Sequence, residues 1–351
     1  MNALPKVSPD SNHALPELNH IESLISSASD IAQIHALDNV VSGDQTFPLY
    51  GIVMGSDSAD VPAFGIFGGV HGVERIGSEV VLSYLHSLIE SAKWSSSIRE
   101  QLNKLRLVFI PVVNPAGMYN GTRCNPRGVD LMRNAPIDAD NRVPALVGGQ
   151  RFSRELPWYR GVKGQAMEKE STALCQFVEQ HLFSSPFSMA LDCHSGYGRK
   201  DHVWFPYAWT EKPFPHLAEM LKLTKLFNQT YPNHTIYEFE PQSLHYTTHG
   251  DLWDYIYLKS LKLEGRLFVP LTLEMGSWLW VKKNPRQLLR FFSLFNPMLP
   301  HRHQRILRRH LLLIDFLSRA VQDYQNWVPT GKERIKLARE AYQHWYIEKN
   351  D

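Results

Sequence analysis

The chain has 351 residues, 37 Lys and Arg against 35 Asp and Glu, a hydrophobic fraction of 43% and three cysteines. That length and apolar content suffice for one large α/β domain or two smaller ones. The near-balanced charge gives no basis for a nucleic-acid or membrane partner, and Cys124, Cys175 and Cys193 have no paired spacing, which argues against both a disulfide framework and a cysteine-built metal site.

Residues 1–14 read as a loose lead-in and 15–27 as a short amphipathic helix packed on the surface. No apolar run has the length of a signal peptide or a membrane span, so a soluble, cytoplasmic protein is expected. Apolar runs at 47–54 and 63–67, bounded by Gly, Ser, Asp and Pro, predict strands. A helix over 76–91 and a strand over 106–113 complete a crossover unit, which implies a parallel or mixed sheet with ligands at the carboxyl ends of its strands. Residues 135–165 lack periodicity and predict a long surface excursion rimming a cleft.

Helical spacing returns over 168–183 and 214–231, and strand-like runs over 188–194 and 267–275. Residues 247–255 read as an aromatic, mobile loop. Helices are predicted over 285–297, 302–327 and 333–346, and the basic stretch 301–310 reads as a charged outer face. The expected architecture is α/β: a single domain over 45–295 with a mixed, mostly parallel central sheet and helices on both faces. Residues 1–44 precede it and a C-terminal helical extension, 296–351, packs on it.

Three stretches carry candidate chemistry. Gly68-Gly69-Val70-His71-Gly72-Val73-Glu74 follows a buried strand and opens a helix, so a His and a Glu three residues apart can point at one spot, as in half of a zinc site. Ser188-Met189-Ala190-Leu191-Asp192-Cys193-His194-Ser195-Gly196 delivers a second His to a strand end in the same manner. Glu274 ends the strand over 267–275 before a Gly turn; a carboxylate in an apolar strand is costly to bury without a partner and is a candidate general base. Between them lies a Gly/Pro/Asn-rich loop with Arg123, Arg127, Asp130 and Arg133, whose guanidinium groups suit carboxylate recognition. No Gly-x-Ser-x-Gly elbow supplies a serine nucleophile.

Taken in order, these residues resemble the zinc carboxypeptidase family, the carboxypeptidase A-like metallopeptidases, over roughly residues 45–295. His71-Gly72-Val73-Glu74 is similar to its His-x-x-Glu ligand pair, with His194 as third ligand, and Asn114-Pro115-Ala116-Gly117 to its Asn-Pro-Asp-Gly turn. The resemblance implies one Zn2+ per chain, a carboxypeptidase-like fold and a peptide or peptide-like amide as substrate. It further implies Arg123 polarising the scissile carbonyl, Asp130 orienting His71, Arg133 pairing with a terminal carboxylate, Tyr255 as a mobile cap and Glu274 as general base.

One residue departs from the family pattern. Asp130-Leu131-Met132-Arg133 stands where the family usually has Asp-Leu-Asn-Arg, so Met132 removes a hydrogen-bond donor from the substrate pocket. Losing a bond to a charged group weakens recognition by about 1.5–3 kcal/mol, tenfold or more. A zinc-dependent carboxypeptidase remains the leading expectation. Deacylation of N-acyl amino acids, as in the related aspartoacylase and succinylglutamate desuccinylase enzymes, cleavage of cell-wall peptides in the cytoplasm, and an inactive zinc-bound peptide-binding module stay open. The roughly 45 residues before the first predicted strands are too few for a separate inhibitory domain.

Overall fold

The computed structural model describes residues 13–196, 198–283 and 291–347. The elements follow in the order α1 (Pro16–Ser27), β1 (Ala32–Ser42), β2 (Gln45–Gly55), β3 (Ala63–Gly68), α2 (Arg75–Trp94), α3 (Ser96–Lys104), β4 (Arg106–Ile110), α4 (Pro115–Asn120), α5 (Lys169–His181), β5 (Phe187–Ser195) and β6 (Asp201–Phe205). Then come α6 (Leu217–Thr230), β7 (Tyr237–Pro241), α7 (Leu252–Ser260), β8 (Leu267–Met275), α8 (Trp278–Lys283), α9 (Pro300–Gln322) and α10 (Gly331–Tyr342).

The strands form one sheet in the order β1-β2-β4-β3-β5-β8-β6-β7. β4, β3, β5 and β8 run parallel to one another, while β2 and β6 attach antiparallel on either side. The central strands β3, β4 and β5 are buried along their whole length, which explains their near-continuous apolar sequences. Side chains alternate between faces along each strand. On β5, Asp192 meets Trp253 of α7 on one face. Phe187 stacks on Tyr324 and Cys193 abuts Gly77 of α2 on the other.

Local sequence explains most helix boundaries. Pro16 and Pro300 occupy the first turns of α1 and α9, where a missing N–H is harmless. Ser95, Asn114 and Asp251 cap α3, α4 and α7 through side-chain oxygens that accept backbone N–H groups. In α2, Ile76, Val80, Val81, Leu85, Leu88 and Ile89 form the buried stripe.

Several expectations need revision. Ala32–Ser42 lies within the expected lead-in yet pairs with β2 throughout as an edge strand, so the sheet begins before residue 45. Residues 252–255, expected in a mobile loop, are the first turn of α7. Residues 285–290 of the helix expected over 285–297 fall outside the described residues; Phe291–Leu294 is a 3-10 turn. The C-terminal helices close the core. Gln101 of α3 donates to Ser318 of α9 at 3.1 Å, and the fully buried Trp345 donates to the Phe239 carbonyl at 2.8 Å.

Candidate metal centre

The site lies at the carboxyl ends of β3, β5 and β8, with His194 and Glu274 among the last residues of their strands and His71 and Glu74 in the loop after β3. Gly68 pairs with Cys193 across β3 and β5, which brings the loop after β3 beside His194. His71-Gly72-Val73-Glu74 then turns into α2, with Glu74 as its N-cap residue. Gly72 is required by space: a Cβ there would lie 2.1 Å from the Gly117 backbone. Gly77 has the same role one turn later, since its Cβ would lie 2.1 Å from the Cys193 carbonyl oxygen, and its absence lets α2 sit directly on β5.

Within this frame three donor groups converge. His71 Nδ1 lies 2.9 Å from Glu74 Oε1, His194 Nδ1 lies 3.1 Å from Glu74 Oε2, and the two Nδ1 atoms are 3.2 Å apart. Both imidazoles are held from behind by buried carboxylates: His71 Nε2 contacts Asp130 Oδ1 at 3.1 Å, and His194 Nε2 contacts Asp192 Oδ2 at 2.7 Å. With each Nε2 bonded to a carboxylate, Nδ1 of each ring is the nitrogen left to face the centre. Two imidazole nitrogens and a carboxylate converging on one point fit the three-ligand set of a zinc site.

The surrounding charges are ordered accordingly. Burial pushes the Glu74 carboxyl upward, but His71 and His194 outweigh it and hold the group below the usual carboxylate range. Burial likewise opposes ionisation of Asp130, and Arg123 and His71 hold it well below its ordinary value. Arg123 donates to Asp130 Oδ2 at 2.8 Å and to Glu74 Oε1 at 3.3 Å. His194 is drawn the other way: burial lowers it, but Asp192 and Glu74 raise it well above the imidazole norm.

A cavity of about 530 Å3 opens over this cluster and is lined by His71, Glu74, Arg123, Met132, Arg133, His194 and Glu274. Glu274 reaches it because it pairs with His194 on the adjacent parallel strand. Asp130 lies beneath; its side chain also accepts the Met132 N–H at 3.0 Å, capping the 3-10 turn Leu131–Arg133 that presents Met132 and Arg133 to the cavity. Pro144, Val147, Pro157 and Trp158, from the long excursion expected to rim a cleft, form another wall.

Tyr255 is not part of this wall. It lies on α7 with Lys259 over its ring and lines a different cavity, beside Arg127 and Arg160. Among the described residues, the tyrosine that lines the main cavity is Tyr246, in the segment before α7. Three further residues escaped the sequence reading: Asp192, Trp253, which donates to Asp192 Oδ2 at 2.8 Å, and Thr272, two residues before Glu274 on the same strand face. The signal for Asp192 was its position two residues before His194 on a strand, which places both side chains on one face.

The family model for zinc carboxypeptidases matches residues 21–277. The chain belongs to the zinc carboxypeptidase family. Carboxypeptidase SOL1 of Arabidopsis thaliana is 29% identical over 111 residues, 31% of this chain and 22% of that protein. Carboxypeptidase M of Mus musculus is 25% identical over 134 residues, 34% of this chain and 30% of that protein. The matched stretches therefore span less than a third of either relative. Among solved structures, thrombin activatable fibrinolysis inhibitor superposes with a TM-score of 0.65 at 18% identity, covering 92% of this chain and 78% of that one. Carboxypeptidase A from Helicoverpa armigera gives 0.66 at 15% identity, covering 90% and 75%. These likenesses establish the zinc carboxypeptidase fold. The family match ends shortly after β8, so α9 and α10 lie beyond it. No helix among the described residues is long and apolar enough to cross a membrane.

Proposed function

We propose that the chain is a zinc-dependent metallocarboxypeptidase that hydrolyses a peptide or peptide-like amide bond. The observation that carries this reading is the convergence of His71 Nδ1, His194 Nδ1 and the Glu74 carboxylate under a cavity that also holds Glu274. His71, Glu74 and His194 would hold one Zn2+, which supplies a bound water of lowered pKa and a Lewis acid for the carbonyl oxygen.

The remaining steps belong to the chain's own residues. Glu274 takes the proton of the attacking water and returns it to the leaving amine. Arg123, kept cationic by Asp130 and Glu74, faces the developing negative charge on the carbonyl oxygen. Asp130 and Asp192 hold the two imidazoles in one tautomer and one orientation. Arg133 receives the terminal carboxylate of the substrate, and Tyr246 takes over the capping position expected of Tyr255.

A second reading rests on Met132, which lines the cavity and brings no hydrogen-bond donor to the carboxylate pocket. It favours an N-acyl amino acid or a cell-wall peptide over an ordinary free C-terminus.

The test is amine release from three panels: peptides with free C-termini, N-acyl amino acids and cell-wall peptides. The proposal expects release from the first panel that a chelator abolishes and zinc restores. Glu274→Gln should lower kcat by about two to four orders of magnitude with zinc still bound. Activity confined to another panel would move the assignment to the second reading. Full activity in the zinc-loaded Glu274→Gln protein would overturn the role of Glu274, and no activity on any panel would leave a binding module.

A further inference from the structure

The sheet continues the functional row past Glu274. His202 on β6 is the antiparallel partner of Glu274, and Glu238 on β7 is the parallel partner of His202. One residue pair further along, Thr272, Trp204 and Glu240 align in the same way. Because side chains alternate, both rows project from the face that carries His194. β6 and β7 therefore place a second set of imidazole and carboxylate groups beside the first.

We propose that His202, Glu240 and His245 form a second metal site that takes a divalent cation of the zinc class. His202 Nδ1 lies 2.6 Å from Glu240 Oε1, and His245 Nε2 lies 2.7 Å from the same oxygen. Potential ligand atoms of the three residues all lie within 4.8 Å of one another, as those of His71, Glu74 and His194 do; among the described residues these are the two such groups. His202 and Glu240 are buried and His245 is half-buried.

Donor chemistry selects the ion. Two imidazole nitrogens and one carboxylate oxygen suit zinc and its neighbours better than calcium or magnesium, which favour all-oxygen shells. Donors about 2.1 Å from a tetrahedral ion sit about 3.4 Å from each other, so Glu240 need withdraw by less than about 1 Å to admit one. The Trp204 ring packs beside both imidazoles, its centroid 5.8 Å from His202 and 5.4 Å from His245, and it also lines the main cavity. Glu238 Oε2 stands 3.7 Å from His202 Nδ1, paired with Lys200, and offers a fourth oxygen nearby.

The role of such an ion follows from the position of His245. It directly follows the 3-10 turn Gln242–Leu244 and directly precedes Tyr246, and both Gln242 and Tyr246 line the main cavity. An ion shared by His202, Glu240 and His245 ties that segment to β6 and β7. It acts as a brace for the cavity wall and takes no part in the chemistry at His71 and His194.

The test is metal stoichiometry on the full chain, stripped with chelator, reloaded with zinc or cobalt, separated from free ion and measured by elemental analysis. Two ions per chain are expected for the unmodified protein and one for His71→Ala/His194→Ala. In that double variant zinc should raise the melting temperature. Adding His245→Ala or Glu240→Gln should weaken the remaining affinity at least tenfold and abolish the thermal shift. If the double variant, folded by circular dichroism, binds no ion, the trio is a hydrogen-bond network and the proposal falls. Should the double variant fail to fold, the unmodified protein decides: a single ion per chain that His245→Ala leaves unchanged overturns the proposal, and so does a second ion that persists in His245→Ala and Glu240→Gln.

Discussion

His194 and Glu274 are register partners on the adjacent parallel strands β5 and β8. The spacing between a metal-ligand position and the carboxylate proposed as base is therefore set by backbone hydrogen bonding at the centre of a buried sheet. Such pairing fixes side chains more firmly than a loop can, which suits a site whose groups must meet one reacting atom.

Asp192 accepts from both His194 Nε2 and Trp253 Nε1, which makes it the hinge between the metal centre and α7. Asp192→Asn is expected to weaken zinc binding by about 10–100-fold, with a smaller loss in Trp253→Phe. Competitive titration against a zinc chelator reads this. Unchanged affinity in Asp192→Asn would reduce Asp192 to a packing residue.

Arg133 is the cation that Leu131–Arg133 presents to the cavity, and the proposed function gives it the substrate carboxylate. Arg133→Gln should raise KM for free-C-terminus peptides by about tenfold or more, with a smaller change in kcat. Peptides amidated at the C-terminus should show no matching change. Equal losses on both would mean that Arg133 supports the fold of the turn and does not read the carboxylate.

Gly77→Ala introduces a methyl group 2.1 Å from the Cys193 carbonyl oxygen. The gain in helix propensity, about 1 kcal/mol, is smaller than the strain of separating α2 from β5. Net destabilisation of about 1–3 kcal/mol is expected by urea denaturation, accompanied by weaker zinc binding because His194 adjoins the contact. A higher unfolding midpoint would refute the close-packing account.

His310, buried on α9 and hydrogen-bonded to the Tyr237 hydroxyl at 2.8 Å, is pushed down by burial to about 4. The unfolded chain, with an ordinary histidine near 6.5, binds the proton between these values and the folded chain does not. Stability from this group is thus fully present above about pH 6.5 and lost as pH falls toward 4, by about 3 kcal/mol at most. His310→Gln should flatten the dependence of melting temperature on pH across that window. Parallel curves for the two proteins would show that other groups govern the acid transition.

The sequence was readable where strands are buried on both sides. β3, β4, β5 and β8 announce themselves as apolar runs, and His71, Glu74, His194 and Glu274 stand out because they interrupt or end such runs. It was opaque where polar residues serve the interior. β6 and β7 carry His202, Glu238 and Glu240 toward the functional face, which erases the apolar signature of a strand. β1 hides because an edge strand exposes much of its surface. Tyr255 reads as a mobile loop residue only while α7 goes unrecognised, although Asp251 before Leu252 and Trp253 is a legible helix cap.

Met132 has two contacts of different kinds. Its N–H donates to Asp130 Oδ1, the oxygen that also contacts His71 Nε2, while the residue lines the cavity. Any residue but proline offers the same N–H. A change of side chain at position 132 that fits the space of Met132 therefore alters the cavity lining and leaves the support of His71 in place.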